Sequence, residues 1–238
     1  MSGGSVLEVE GLVTFYGRAQ ILFDLALEVA EGEVLVLMGR NGAGKSTTLK
    51  SIMGLVRPAA GRVRFRGREL TGLPPFRVAR SGVGYVPEER RIFAELTVEE
   101  NLEVGRREAS PGKEPWTPER LYGLFPNLAE LRRRRADRIS GGEQQMLAIA
   151  RTLMGNPELL LLDEPSEGLA PVIVDQMAAA LADLRLHGVS ILLSEQNLHF
   201  AGRIAERACI IEKGHIRWRG AMRTLLADEE VRRAYLSV

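Results

Sequence analysis

The chain is short of cysteine, of lysine and of long apolar stretches. Among its 238 residues it has one cysteine, Cys209. A single thiol excludes an intramolecular disulfide and a cysteine-based zinc site. Cys209 lies in an apolar run and is expected to be a small buried side chain. No apolar run approaches the length of about 18 residues needed to cross a bilayer. Residues Met1 to Gly11 contain no basic stretch followed by an apolar one, so no signal peptide is expected. Charge is balanced, with 32 Lys and Arg against 31 Asp and Glu. A net charge of +1 gives no basic footprint for nucleic acid. Arg132 to Arg135 is therefore read as a solvated helix end. These absences leave a soluble, cytoplasmic, enzyme-sized chain as the expectation. Only four of the 32 basic residues are lysine: Lys45, Lys50, Lys113 and Lys213. Arginine does not replace lysine where a compact point charge is needed, so a retained lysine invites a chemical reason.

The remaining sequence alternates strand-like and helix-like segments. Strand character is expected at residues 6–9, 20–29, 34–38, 61–67, 159–162, 189–193, 208–212 and 215–218. The run from Val34 to Met38 is apolar throughout, as in a strand buried on both faces. Lys213-Gly214 joins the last two strands as a hairpin turn. Residues 46–53 and 141–155 read as helices, and 225–236 as one C-terminal helix. Thr97 and Glu100 fit a capping box. Pro126 is expected to split the helix marked by Leu121, Leu124, Leu128 and Leu131. The result is an α/β core with a helical insert over about residues 88–157, all within one domain.

Gly39-Arg40-Asn41-Gly42-Ala43-Gly44-Lys45-Ser46 fits G-x-x-x-x-G-K-[ST] in full, between a buried strand and a helix. Its glycines let successive backbone N–H groups turn toward a polyphosphate, and the helix start adds partial positive charge. Lys45 would reach the terminal phosphates, and Ser46 would place its hydroxyl on Mg²⁺. Thr47, the next residue, joins the binding set. The bland alternative is a glycine turn. Leu159 to Leu162 ends in Asp163-Glu164, which puts two acids at a strand's C-terminal edge, where α/β proteins bind ligands. Asp163 would organise the metal, and Glu164 would polarise a water in line with the γ-phosphate. Ser140-Gly141-Gly142-Glu143 opens a helix and forms a second anion-gripping start.

With three such motifs in this order, the sequence resembles the ATP-binding subunits of ABC transporters over essentially its whole length. The resemblance implies a P-loop ATPase core, an N-terminal antiparallel β subdomain and a helical subdomain insert. It implies ATP and Mg²⁺ as cofactors. It also implies a head-to-tail pair of ATPase subunits, in which the P-loop of one and Ser140 to Glu143 of the other share each ATP. Tyr16 matches the family's adenine-stacking aromatic. Glu88 stands where most members have the Q-loop glutamine, and could still bind Mg²⁺. Gln196 stands where most have the switch histidine, while His199 is expected on the surface of the next helix. Glutamine can donate to a γ-phosphate oxygen but cannot shuttle a proton, so more of the catalytic work falls on Glu164. Ala170 replaces the usual acid of the D-loop.

The stretches 86–88, 92–93, 96–102, 140–149, 168–171 and 195–197 together resemble one branch, the ATPases of high-affinity branched-chain amino-acid importers. Relatives serving urea and short amides stay open. So, further off, do a lipopolysaccharide-export ATPase and a non-transport ABC protein. The importer resemblance implies two transmembrane permease subunits, a second ATPase subunit and, indirectly, a periplasmic solute-binding protein. It places the chain at the cytoplasmic face of the inner membrane and leaves nucleic acid out. Phe93 to Val98 is the segment expected to meet the permease.

Overall fold

The computed structural model describes residues 4–236. Two sheets organise the chain. The first is antiparallel and has the order β2-β1-β4-β5, from β1 (Ser5–Tyr16), β2 (Ala19–Ala30), β4 (Ala60–Phe65) and β5 (Arg68–Glu69). The second contains β3 (Val34–Met38), β6 (Val83–Val86), β7 (Leu159–Asp163), β8 (Ser190–Glu195), β9 (Arg207–Glu212) and β10 (His215–Ala221). Its order is β10-β9-β3-β8-β7-β6. Every neighbouring pair is parallel except β9 and β10, which form a hairpin.

The continuous apolar runs divide their side chains by strict alternation, because successive residues of a strand point to opposite faces. Val34, Val36 and Met38 enter one core with Leu160, Leu162, Ile191 and Leu193. Leu35 and Leu37 enter the other with Leu159, Leu161 and Leu192. The first core is closed by helices α6 (Gly141–Leu153), α7 (Pro171–Leu186) and α8 (Leu198–Ile204). The second is closed by the antiparallel sheet with α1 (Lys45–Ile52) and α2 (Pro75–Arg80). A buried parallel sheet needs cover on both sides, and here one cover is helical and the other mostly β.

Between β6 and β7 the chain is helical: α3 (Val98–Gly105), α4 (Pro118–Leu124), α5 (Pro126–Glu130) and α6. The Thr97–Glu100 capping box forms at the start of α3. Pro126 does end one helix and begin the next, with Phe125 between them. Arg132, Arg133 and Arg134 are exposed beyond α5, whereas Arg135 pairs with Glu95 and Asp137. Cys209 is buried in β9.

Two expectations need correction. The first strand runs to Tyr16 rather than stopping at Val9, and register shifts after Val9 let it bend across two partners. The single C-terminal helix is instead two, α9 (Met222–Ala227) and α10 (Glu229–Tyr235). Asp228 accepts a hydrogen bond from the Val231 N–H at 2.9 Å, which caps a new helix and breaks the old one. The pattern at 75–80, 83–86 and 171–186 also produced elements that sequence reading had left unassigned.

Candidate nucleotide site

The strand ends of the parallel sheet build the site. Met38 pairs with Glu195, Asp163 with Ser194, and Val86 with Leu162, so four strands finish level with one another. The loops that leave these ends carry Gly39 to Gly44, Glu164, Gln196 and Glu88.

Gly39 and Gly44 have φ of 156° and 115°. A Cβ on Gly39 would lie 2.3 Å from the carbonyl oxygen of Ile211, so the loop passes where only glycine fits. The turn at Gly214 supports the loop from below, its N–H donating to the Ala43 carbonyl at 2.8 Å. Helix α1 then begins with Gly44 at its N-cap and no side-chain cap. Its first N–H groups thus face the cleft without a hydroxyl or carboxylate of the chain occupying them, the arrangement that suits an anion.

Lys45 is buried. Its Nζ donates to the carbonyls of Gly39 at 2.8 Å and Arg40 at 3.2 Å, and lies 3.0 Å from Glu164 Oε1. Little water screens a buried pair this close. Glu164 itself sits in a left-handed backbone conformation, φ 45°. That conformation costs a side-chain-bearing residue about 1 kcal/mol or more and is found disproportionately at functional sites. The Glu164 N–H donates to Ser194, both to its carbonyl at 3.0 Å and to its Oγ at 3.2 Å.

Asp163 is buried and accepts three hydrogen bonds. Ser46 Oγ donates at 2.9 Å and Ser194 Oγ at 2.6 Å, both to Oδ1. The Tyr85 hydroxyl donates to Oδ2 at 3.2 Å. Burial, and then the Asp163 carboxylate, push the Tyr85 phenol well above its ordinary range, so it stays a donor. Ser46 and Asp163 thus meet across 117 residues of sequence. Their oxygens are hard donors of the kind Mg²⁺ prefers, and Mg²⁺ takes few protein ligands.

The Gln196 Nε2 donates to Glu164 Oε2 at 2.7 Å and to Asn41 Oδ1 at 2.5 Å. One amide therefore joins the P-loop to the acid that follows β7. Behind it, Glu195 is buried and accepts from Ser166 Oγ and the N–H groups of Gln196 and Asn197, while burial raises its carboxyl above the usual range. His199 is exposed on α8, on the surface as expected.

A cleft of about 400 Å³ opens above these residues, bounded by Ile21, Asn41, Lys45, Glu88, Glu164 and Glu167 among others. Glu88 is exposed at its rim. Reduced hydration and the neighbouring Glu164 carboxylate raise the Glu167 carboxyl. Tyr16 lies at the end of β1, 47% exposed, and does not line the cleft. Neither do Ser140, Gly141, Gly142 and Glu143. Ser140 instead caps α6: the Glu143 N–H donates to its Oγ at 3.3 Å, and its own N–H donates to Glu143 Oε2 at 2.6 Å.

Sequence reading passed over Ser194, Tyr85 and Glu167. Ser194 and Tyr85 lie on the same sheet face as Asp163, because Ser194 pairs with Asp163 and Tyr85 with Leu161, two residues earlier. A reader who knew that β6, β7 and β8 are neighbours would have found both from alternation alone.

A family model described as ABC transporter matches residues 22–167. The chain is 45% identical to the high-affinity branched-chain amino acid transport ATP-binding protein BraG of Pseudomonas aeruginosa, over 97% of this chain and 99% of that one. The chain belongs to the ABC transporter family. It is also 36% identical to the lipopolysaccharide export system ATP-binding protein LptB of Haemophilus influenzae, over 98% of this chain and 97% of that one. Among solved structures, the ADP conformation of an ATP-binding cassette of an ABC transporter superposes with a TM-score of 0.82 at 27% identity, covering 96% of this chain and 97% of that one. The two-sheet, helix-bearing architecture is the ABC ATPase fold. The chain is accordingly an ATPase.

Proposed function

We propose that this ABC ATPase is the motor subunit of a membrane importer of branched-chain amino acids. The observation that carries the motor reading is the contact of Lys45, Glu164, Gln196 and Asn41 above the glycine loop, beside the Ser46–Asp163 pair. The 45% identity to a branched-chain amino-acid transport ATPase over almost both chains supports the solute class.

In this reading Lys45 exchanges Glu164 and the two loop carbonyls for β- and γ-phosphate oxygens of ATP. The N–H groups from Gly42 to Thr47 take the remaining phosphate charge. Glu164, released from Lys45 but still held by Gln196, orients a water on the γ-phosphorus and takes its proton as the new P–O bond forms. The bond to the β-phosphate oxygen breaks and its electron pair leaves with ADP. Ser46 and Asp163, with Glu88 at the rim, would hold Mg²⁺. That ion, when bound, would neutralise charge on the β- and γ-phosphate oxygens. Tyr16 would stack on adenine. Ser140 to Glu143 would complete the site of a second ATPase subunit, packed head to tail. No helix among the described residues is long and apolar enough to cross a membrane. The chain would therefore act through two permease subunits, from the cytoplasmic face, with a solute-binding protein on the far side.

The test is co-reconstitution of the chain with its permeases, partner ATPase and solute-binding protein in liposomes. Leucine, isoleucine and valine should drive ATP hydrolysis and their own uptake. Uptake of urea or short amides in their place would move the solute assignment to the related branch. Stimulation by lipopolysaccharide instead, which the 36% identity keeps as the second reading, would overturn import.

A further inference from the structure

Asp163 has a third partner that the nucleotide reading leaves without a role. Tyr85 lies near the end of β6, beside β7, where it pairs in register with Leu161. Strand alternation then puts its side chain on the face that carries Leu161 and Asp163. Its hydroxyl reaches Asp163 Oδ2 at 3.2 Å, while Ser46 and Ser194 both occupy Oδ1. The carboxylate is thereby pinned from both sides: two hydroxyls on one oxygen, a phenol on the other. Tyr85 also lines a separate groove of about 400 Å³, together with Met53, Ala79, Phe93 and Arg151. The phenol is thus a rigid strut between that groove and the nucleotide site. A ring with two side-chain torsions loses little freedom in holding such a contact, and hydrogen bonds to charged acceptors are the stronger kind.

We propose that Tyr85 is a positioning residue for Asp163, setting the rotation of its carboxylate so that Oδ1 stays aligned with Ser46 for Mg²⁺. The proposal rests on the reading of Ser46 and Asp163 as metal-holding residues. Tyr85 touches neither nucleotide nor metal; it acts only through Asp163. Removing the hydroxyl leaves Oδ2 without its donor and frees the carboxylate to turn. Mg²⁺-dependent nucleotide binding should weaken, while binding that does not use the metal should not change.

Tyr85→Phe keeps the ring and its seat, and so separates the hydroxyl from the packing. Equilibrium binding of a fluorescent ATP analogue to the full chain would be titrated with Mg²⁺, and repeated in excess chelator. The Mg²⁺ midpoint is expected to rise about three- to tenfold, as for the loss of one ordinary hydrogen bond. Affinity in chelator and the thermal unfolding midpoint should stay at the wild-type values. An unchanged Mg²⁺ midpoint would overturn the proposal, and so would an equal loss of affinity with and without Mg²⁺, which marks a packing role. Asp163→Asn serves as the reference. If that variant leaves the Mg²⁺ midpoint unmoved, the metal reading itself fails. If it moves the midpoint and Tyr85→Phe does not, only the role of Tyr85 is lost.

Discussion

The chain contains two glycine-rich helix starts, and they differ in how each is finished. At α1 the N-cap is Gly44 in a left-handed conformation, with no side chain on the first N–H groups. Around it the chain places Lys45 and Gln196 on Glu164, and Ser46 on Asp163. At α6 the N-cap is Ser140, exposed, with a complete capping box to Glu143. The first start is unfinished as a helix and surrounded by chemistry. The second is finished as a helix, with the Arg90 guanidinium lying against Gly141. A start that leaves its donors uncapped is built to take a ligand in the same chain. A self-capped start on the surface is stable alone, which fits the proposal that it meets a phosphate held by another subunit.

Substitution at Lys45 should separate the two starts most widely. Lys45→Ala removes the only lysine in the cleft, and steady-state ATP hydrolysis by the assembled complex should fall about a thousandfold, with nucleotide affinity weakened as well. Hydrolysis at the wild-type rate would show that the first start is a mere glycine turn. Glu164→Gln should come next: turnover falls about a hundredfold or more, since the amide can hold a water but cannot take its proton. Binding is retained, and Mg-ATP should then drive the chain, or the chain with its partner ATPase, into a stable dimer by light scattering. A sample that stays monomeric at high protein concentration would count against a site shared between subunits.

Ser140→Ala tests the second start. ATP binding by the isolated chain should be unaltered, while hydrolysis in the complex drops about tenfold. Loss of the cap should also lower stability by about 1 kcal/mol in denaturant unfolding. Reduced ATP affinity in the isolated chain would place Ser140 in its own P-loop cleft and erase the contrast. The smallest effect is expected at Gln196. Gln196→Ala should slow hydrolysis about three- to tenfold by removing the donor between Asn41 and Glu164. Gln196→His should stay active and acquire a pH dependence near about 6.5, which glutamine cannot show because it does not titrate. A wild-type rate in Gln196→Ala would mean that the bridge does not bear on catalysis.

Much of this was legible in the sequence because it depends on local patterns. The glycine loop, the apolar run ending in acids, the capping box at Thr97 and the break at Pro126 all follow from neighbouring residues, within a turn or a strand's length. Local reading failed where a competing local signal was weak. Asp228 looked like one polar residue inside a helix, yet its side chain caps a new one. The first strand was cut short at Val9 because alternation lapses where the register shifts.

What only the tertiary structure decided is which of these pieces meet. The strand order β10-β9-β3-β8-β7-β6 brings the P-loop strand beside β8, not beside β7. Gln196 therefore lies between Asn41 and Glu164 and can join them. The same order sets Tyr85 and Ser194 on either side of Asp163. By itself the sequence determined the kind of chemistry, since a loop that cradles phosphate and a strand that ends in acids need only their own residues. It could not determine the geometry of the site. Register between strands far apart in the chain is selected by packing of whole faces and by right-handed crossovers, which no local window contains.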